Sequence, residues 1–162
     1  MSVQAPIKMR YDRAGVAMAP LLARLHAAAF HRPGDETWSE RAFSDVLNSA
    51  GCFCLVAIDE AEDETPVGFA AVRVRAQESE LLSLGVMPAY QRRGIAQALI
   101  LQAKQGALAI GAKQMFLEVA EDNPGAYRLY CEMGFDQVGT RPDYYTRLDN
   151  QRVNARTMRS PL

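Results

Sequence analysis

The chain has 162 residues, a formal net charge of −1, and the apolar and charged fractions of an ordinary soluble domain. This length suffices for one well-buried core, so we expect a single domain over residues 1–162. The near-neutral charge excludes a global field that attracts nucleic acid, no run in the sequence approaches the length of a membrane span, and we expect no signal peptide in MSVQAPIKMRYD.

The first elements along the chain are a strand and a helix. Residues 7–11 predict a strand, and residues 16–30 predict a helix because leucines and alanines recur three and four positions apart. Pro20 fits the first turn of that helix, or a kink in it. We expect His26, within the helix, to be a surface or half-buried side chain rather than a catalyst.

A second helix follows the loop HRPGDE. Thr37 and Glu40 have the spacing of a capping box, in which each side chain bonds the other's exposed backbone donor. Gly51 is a residue typical of a helix end. Trp38, the only tryptophan, either packs this helix against the core or lines a substrate groove.

Three strands separated by polar turns come next. The middle one carries Arg73 among alternating apolar side chains, which predicts one wetter face. Cys52 and Cys54 lie in the first strand, and with Cys131 they fit the reduced thiols of a cytoplasmic protein. The sequence places no further soft ligands near them, so we expect no metal site. The strand segments are CFCLVAID, VGFAAVRVRA and ELLSLGV.

The last third of the chain continues the alternation of helix and strand. Residues 94–110 predict a long helix and KQMFLEVA a strand. Asn123 and Pro124 then suit the cap and first position of a helix that Gly134 ends. FDQVGTRPDYYTR and RVNARTMR predict two closing strands, so the chain is predicted to be one α/β domain. Its C-terminal basic residues are either solvated strand positions or a landing surface for an acidic or RNA-rich partner: Arg147, Arg152, Arg156 and Arg159.

The stretch VMPAYQRRGIAQALI brings two arginines and a glycine to the junction between a strand and the long helix. A helix N-terminus leaves backbone donors unpaired and carries a partial positive charge, so it attracts anions. Arg92, Arg93 and Gly94, with the amides of residues 95–97, therefore fit a pyrophosphate. A basic turn that only caps the helix has the same spacing. The P-loop and Rossmann phosphate motifs are absent from the sequence.

Residues 91–96, QRRGIA, resemble the Q/R-x-x-G-x-G/A signature of the GNAT acetyltransferase superfamily, and a strand and Val-x-Pro precede them. LEVAEDNPGAYRLYCEMGF is similar to the second half of the same cofactor site. Within the superfamily, TWSERAF, LEVAEDN and RPDYY resemble the RimI-type N-terminal protein acetyltransferases. The resemblance covers residues 7–162. The segments RPGDET and RVNARTMRSPL depart from the RimI-type pattern, which leaves the acceptor open.

The resemblance implies the GNAT fold, a central mixed β-sheet with splayed parallel strands flanked by helices. It implies that acetyl-CoA lies between the splayed strands, with the pantetheine along Leu84, Gly85 and Val86. It further implies that the pyrophosphate sits on residues 92–97 and that Asn123 contacts the cofactor arm.

The resemblance also implies that Glu118 is the general base and Tyr130 the general acid. An α-amine has an ordinary pKa near 8, so much of it is protonated at neutral pH, and a base is typically worth about 10²–10⁴-fold. Glu118 is the only charge in the strand MFLEV, where burial is costly without a purpose or partner. Glu78 and Glu80 are rival bases, because other GNAT branches place theirs on the preceding strand.

The expected activity is direct acetyl transfer to the N-terminal α-amine of a protein, by the RimI resemblance a ribosomal protein that begins with alanine. Trp38, Tyr144 and Tyr145 are the candidate acceptor contacts, although the two tyrosines also fit strand packing. A small-amine acetyltransferase and a non-catalytic acyl-CoA sensor are the alternatives. We expect no membrane and no direct nucleic-acid partner.

Overall fold

The computed structural model of the chain describes residues 7–162. Residues 1–6, which belong to the expected domain and to the segment considered for a signal peptide, lie outside this range. In chain order the elements are β1 (Met9–Arg13), α1 (Ala19–Ala29), α2 (Glu40–Asn48), β2 (Cys52–Asp59), β3 (Thr65–Arg75), β4 (Glu78–Val86), α3 (Ile95–Ala109), β5 (Gln114–Ala120), α4 (Pro124–Glu132), β6 (Asp136–Thr146) and β7 (Arg152–Pro161), with 3₁₀ turns at Val16–Met18 and Pro88–Tyr90.

The strands form one seven-stranded sheet in the order β1-β2-β3-β4-β5-β7-β6. All neighbours are antiparallel except β4 and β5, which are parallel and joined by α3. A parallel pair needs such a crossover, since two strands running the same way cannot be joined by a tight turn. The predicted mixed sheet flanked by helices is confirmed. Among the helices of residues 7–162, none is long and apolar enough to cross a membrane.

Two apolar cores cover the two faces of the sheet. One contains side chains of α3 and packs against residues of α4, and the other contains side chains of α1 and α2. Strand β3 serves both cores, because Val72 lies in the first and Phe69 in the second, each fully buried. The prediction of a wetter face for β3 is therefore wrong along most of its length. Exposure is confined to the two ends of the strand, at Thr65 and Pro66 and at Arg73 and Arg75.

Strands β4 and β5 stay together over only three residues. Glu78, Ser79 and Glu80 pair with residues 114–116, and the two strands have no further pairing. Just beyond that point β4 has an extra residue relative to β3, since Ala71 faces Ser83 while Val72 faces Leu81. Such a bulge bends a strand. The sheet consequently opens at its centre between residues 81–86 of β4 and residues 117–120 of β5.

Some local predictions are corrected by the structure. The N-cap of α2 is Ser39, whose hydroxyl accepts the Ala42 N–H at 3.1 Å, so the capping box at Thr37 is wrong. His26 is 2% exposed rather than half-buried. Pro20 in the first turn of α1 and Asn123 as the cap of α4 are confirmed.

The C-terminal arginines do not form one surface. Side chains alternate along a strand, so Arg152 and Arg156 point to one face of β7 and Arg159 to the other. Arg147 lies outside β7 and forms two hydrogen bonds to the carboxylate of Asp122, at 2.6 and 2.8 Å. The landing-surface hypothesis is therefore not supported by their arrangement.

Candidate active site

The start of α3 presents a row of unpaired backbone donors. In the part of the chain that the structure describes, none of the amides of residues 92–97 donates to a protein acceptor. Arg92 and Gly94 have positive φ angles of 60° and 81°, and backbone of this kind turns successive N–H groups toward one concavity. A Cβ at Gly94 would meet nothing within 4 Å, so glycine is required here for conformation rather than for packing.

Positive charge surrounds the same concavity. Arg92 and Arg93 are exposed, and neither forms an ion pair within residues 7–162. The guanidinium of Arg93 lies 5.1 Å from the ring centre of Tyr90. The side chain of Gln91 donates to the Val86 carbonyl at 3.2 Å, which ties this loop to the end of β4. A phosphate would meet both backbone dipoles and full charges here.

One position near the end of β4, Gly85, is packed too closely to hold a side chain. A Cβ on Gly85 would lie 2.6 Å from the Phe69 ring and 2.7 Å from the Ala29 methyl, so glycine is needed for close approach. Leu84 and Val86 pack into the core that contains α3. Across the opening, the Asn123 side-chain oxygen accepts the Ala126 N–H at 3.2 Å, which leaves its amide nitrogen free to donate to another partner.

Glu118 lies where the two strands separate. It is two residues past Phe116, the last β5 residue paired with β4, and its side chain is 22% exposed. The guanidinium of Arg141 donates to its Oε1 at 2.7 Å. Its Oε2 is buried and has no hydrogen-bond partner among the described residues. A buried carboxylate oxygen without a donor is costly, and such an orphan points to a group supplied from outside the chain.

A cavity of about 340 Å³ opens beside Glu118. The rival base Glu80 lines it but is paired with Arg73 at 2.6 Å, and Glu78 accepts from Gln114 at 3.2 Å. The Oε2 of Glu118 therefore differs from both in being buried and unpartnered. The cavity is lined by Arg73, Arg75, Glu78, Ser79, Glu80, Phe116, Leu117, Glu118 and Thr157.

Two tyrosines with raised pKa values connect Glu118 to α4. Burial raises the pKa of Tyr145 to about 12, and the negative charge of Glu118 adds to that shift. Burial also raises the pKa of Tyr130 to about 12, with a further contribution from Tyr145. The Tyr130 ring packs edge-on against Phe135 at 5.9 Å, so it is also a core aromatic. Both phenols keep their protons at neutral pH and can donate them.

The remaining predicted acceptor contacts lie on two neighbouring segments. Trp38 is partly buried and its ring lies 5.7 Å from His26 and 5.1 Å from Phe43, so it does pack against the core. Tyr144 is 50% exposed and contacts Tyr145 edge-on at 4.9 Å. The loop after α1 meets the turn between β6 and β7, since a Cβ on Gly34 would be 3.4 Å from the Leu148 nitrogen.

The structure shows two features that sequence reasoning missed. One is the bulge that separates β4 from β5, for which the run ELLSLGV carries no signal. The other is the pairing of Arg141 with Glu118, which are 23 residues apart. The single charge in MFLEV was the available signal, because a buried carboxylate implies a cationic partner somewhere in the fold.

Residues 19–135 match the Acetyltransferase (GNAT) family. This chain belongs to the GNAT acetyltransferase family. It is 32% identical over 118 residues to the [ribosomal protein bS18]-alanine N-acetyltransferase of Haemophilus ducreyi, covering 73% of this chain and 79% of the relative. It is 35% identical over 130 residues to the N-alpha-acetyltransferase RimI of Mycobacterium tuberculosis, covering 76% and 75%.

The fold agrees with this assignment. The crystal structure of the ribosomal-protein-S18-alanine N-acetyltransferase from Escherichia coli superposes with a TM-score of 0.83 at 24% identity, covering 95% of this chain and 94% of that one. The chain is thus an N-acetyltransferase with the GNAT fold, and the predicted resemblance to RimI-type enzymes is confirmed.

GNAT acetyltransferases take their acyl group from acetyl-CoA, which is therefore the cofactor of this chain. The residues present fit it. The unpaired amides and two arginines at the start of α3 suit a pyrophosphate, and the opening between β4 and β5 leaves strand edges free for an extended pantetheine arm.

Cys54 of this acetyltransferase is not suited to act as a nucleophile. Cys54 is buried, and burial raises its pKa to about 12, so its thiol stays protonated. Cys131 is exposed on α4 next to Tyr130. Within residues 7–162 no group of three His, Cys, Asp or Glu side chains is arranged to hold a metal ion.

Proposed function

We propose that this enzyme transfers acetyl from acetyl-CoA to the N-terminal α-amine of a protein, with Glu118 as the base. The observation that carries the proposal is the Glu118 carboxylate, which has one oxygen held by Arg141 and one buried, unpartnered oxygen beside a cavity. An amine entering that cavity supplies the missing N–H donor. The names of the relatives support a ribosomal protein that begins with alanine as the acceptor.

The reaction we propose is a direct attack with no covalent enzyme intermediate. The ammonium first loses one proton to water. Glu118, directly or through one water, then takes a second proton from the nitrogen as the neutral amine attacks the thioester carbonyl carbon. The new C–N bond forms, the C–S bond breaks, and Tyr130 gives its proton to the departing thiolate. Backbone amides near Val86 polarise the carbonyl oxygen. Burial raises the pKa of Tyr130, so the phenol still holds its proton when the thiolate leaves, and it regains a proton from water afterwards.

The cofactor contacts belong to the same proposal. The pantetheine arm lies along the free edge of β4 and near the amide nitrogen of Asn123. The pyrophosphate takes the unpaired amides at the start of α3. The proposed cofactor residues are Leu84, Gly85, Val86, Arg92, Arg93, Gly94, Ile95, Ala96, Gln97 and Asn123.

On the acceptor side we propose Trp38, Tyr144 and Tyr145. Two observations support this assignment: the loop after α1 contacts the β6–β7 turn, and the negative charge of Glu118 reaches Tyr145. We further propose that residues 1–162 act as a single domain. The three free cysteines support a reducing compartment such as the cytoplasm.

The experiment is steady-state release of CoA thiol from acetyl-CoA, with a short peptide bearing a free N-terminal alanine and its N-blocked twin. Wild-type turnover should require the free amine. Glu118→Gln should lose about 10²–10⁴-fold in kcat, the usual range for a general base, and Tyr130→Phe should lose activity by the same readout. Glu80→Gln is the matched control, because Glu80 lines the same cavity but is already paired with Arg73.

Each other outcome selects a different function. If the peptides are inert and a polyamine or aminoglycoside is acetylated, the acceptor is a small amine. If acetyl-CoA binds and none of these acceptors turns over, the acyl-CoA sensor becomes the favoured alternative. If Glu80→Gln collapses while Glu118→Gln does not, the base lies on β4.

A further inference from the structure

The ion pair between Arg141 and Glu118 crosses a strand. Arg141 is on β6 and Glu118 on β5, and β7 lies between them in the sheet. The distance of 2.7 Å from Arg141 Nη1 to Glu118 Oε1 is that of a charge-assisted hydrogen bond. The same guanidinium lies 4.6 Å from the ring centre of Tyr144. Arg141 is therefore held by a carboxylate and an aromatic face at once.

A bulge of three β6 residues directly follows Arg141. Arg141 faces Ala155 and Tyr145 faces Val153, so three residues of β6 stand opposite the single residue Asn154 of β7. Asp143, in the middle of the bulge, has a φ of 54°. Bulges beside active sites turn a strand and thereby redirect its side chains.

Asn154 ties this bulge to the end of β5. Its side-chain oxygen accepts the Asp143 N–H at 2.9 Å, and its backbone carbonyl accepts the Glu121 N–H at 3.0 Å. One residue thus links the strand that carries Arg141 to the strand that carries Glu118. The geometry of the pair does not depend on the two long side chains alone.

We propose that Arg141, aimed by the β6 bulge that Asn154 holds, is the positioning residue for Glu118. Arg141 binds Oε1 and so fixes the carboxylate plane with Oε2 toward the incoming amine. This inference rests on the proposed role of Glu118 as base, and it adds a residue that acts through Glu118 without touching the reacting atoms. Fold stability alone does not account for this ion pair, because Arg141 is 56% exposed and exposed ion pairs contribute little to the free energy of unfolding.

The test compares the wild type with Arg141→Ala and Arg141→Lys in the peptide assay. Arg141→Ala should lower kcat by about 10- to 100-fold with little change in KM, because a misplaced base slows the chemical step. Arg141→Lys should recover part of the loss. Millimolar guanidinium chloride should restore turnover to Arg141→Ala more than sodium chloride of equal ionic strength does, and it should restore none to Glu118→Gln.

Arg156→Ala is the matched control. Like Arg141, Arg156 contacts a tyrosine ring and donates one side-chain hydrogen bond. Its guanidinium lies 4.6 Å from the ring centre of Tyr127 and donates to Gln137 at 3.2 Å, but on the opposite face of the β6–β7 pair. Its loss should leave kcat unchanged. Asn154→Ala should resemble Arg141→Ala in lowering kcat, but guanidinium should not rescue it, because its arginine is still present.

Failure of this inference is distinct from failure of the proposed function. If the wild type acetylates the peptide and Glu118→Gln is inactive, but Arg141→Ala keeps its kcat or gains activity, Arg141 does not position the base. A kinetic double-mutant cycle is a second measurement. Arg141→Ala should lower the kcat of Glu118→Gln no further, because its effect acts through Glu118, and a full additional loss overturns the proposal.

Discussion

His26 is a single residue whose burial makes stability depend on pH. Its imidazole stacks on Phe30 at 4.3 Å, and its Nδ1 accepts the backbone N–H of Trp38 at 3.4 Å. This arrangement requires the neutral ring. Burial lowers the pKa of His26 from 6.5 to about 4, and the negative charge of Asp35 opposes this shift only in part. A depressed pKa means that the unfolded chain binds the proton first as the pH falls.

The stability that neutral His26 contributes is present above pH 6.5 and is lost between pH 6.5 and 4. By linkage this loss is about 3 kcal/mol. Urea unfolding of the wild type against pH should show it, and His26→Phe should flatten the curve in that window. His31→Asn, at the exposed second histidine, should reproduce the wild-type curve. Parallel curves for the wild type and His26→Phe would contradict the prediction.

At the scale of one element, comparing the glycines at the two ends of α3 distinguishes the need for a positive φ from a role in cofactor binding. Gly94 before the helix and Gly111 after it both have positive φ, 81° and 108°, and a Cβ at either would meet nothing within 4 Å. Alanine at each should cost about 1–2 kcal/mol in unfolding free energy through strain alone. Only Gly94→Ala should also weaken CoA binding, because only its loop carries the unpaired amides. Equal CoA affinity of the two variants by calorimetry would show that the unpaired amides at the start of α3 are not the anion site.

The elements themselves were largely predictable, because hydrophobic period and turn residues are local properties. CFCLVAID is β2 as predicted, and Asn123 with Pro124 begins α4. The cap of α2 was mispredicted since Thr37 and Ser39 are both good cap residues, and Glu40 proves to be the first helical residue rather than the third. Local sequence does not decide between such neighbours.

The arrangement of the candidate site was less predictable because it depends on the order of strands in the sheet. The family motif located the concavity at α3 and the carboxylate at Glu118. Arg141 reaches Glu118 across β7, which lies between β5 and β6, and the bulge opposite Asn154 follows Arg141 directly. Likewise, the opening of the sheet follows from a one-residue bulge near Leu82. Both are long-range consequences of pairing register, which a single sequence does not reveal.

At the scale of the whole molecule, the sheet is two half-sheets joined weakly at their seam. Strands β1–β4 and β5–β7 pair directly only through the three residues at the base of β4 and β5, and otherwise through the shared core beneath α3. A cofactor between β4 and β5 would contact both halves and stabilise their junction. At 100 times its dissociation constant, CoA should raise the unfolding free energy by about 2.7 kcal/mol.

Hydrogen exchange shows where that stabilisation acts. Without ligand, the amides of residues 92–97 lack protein acceptors and should exchange fast, as should edge amides of residues 81–86 that face the opening. CoA should slow both segments, whereas pantetheine, which has no pyrophosphate, should slow the β4 segment only. Exchange in β1 and β2, remote from the seam, should change far less. Equal protection of residues 92–97 by both ligands would mean that the pyrophosphate binds elsewhere. Protection spread evenly over the sheet would mean that the cofactor does not act at the junction between β4 and β5.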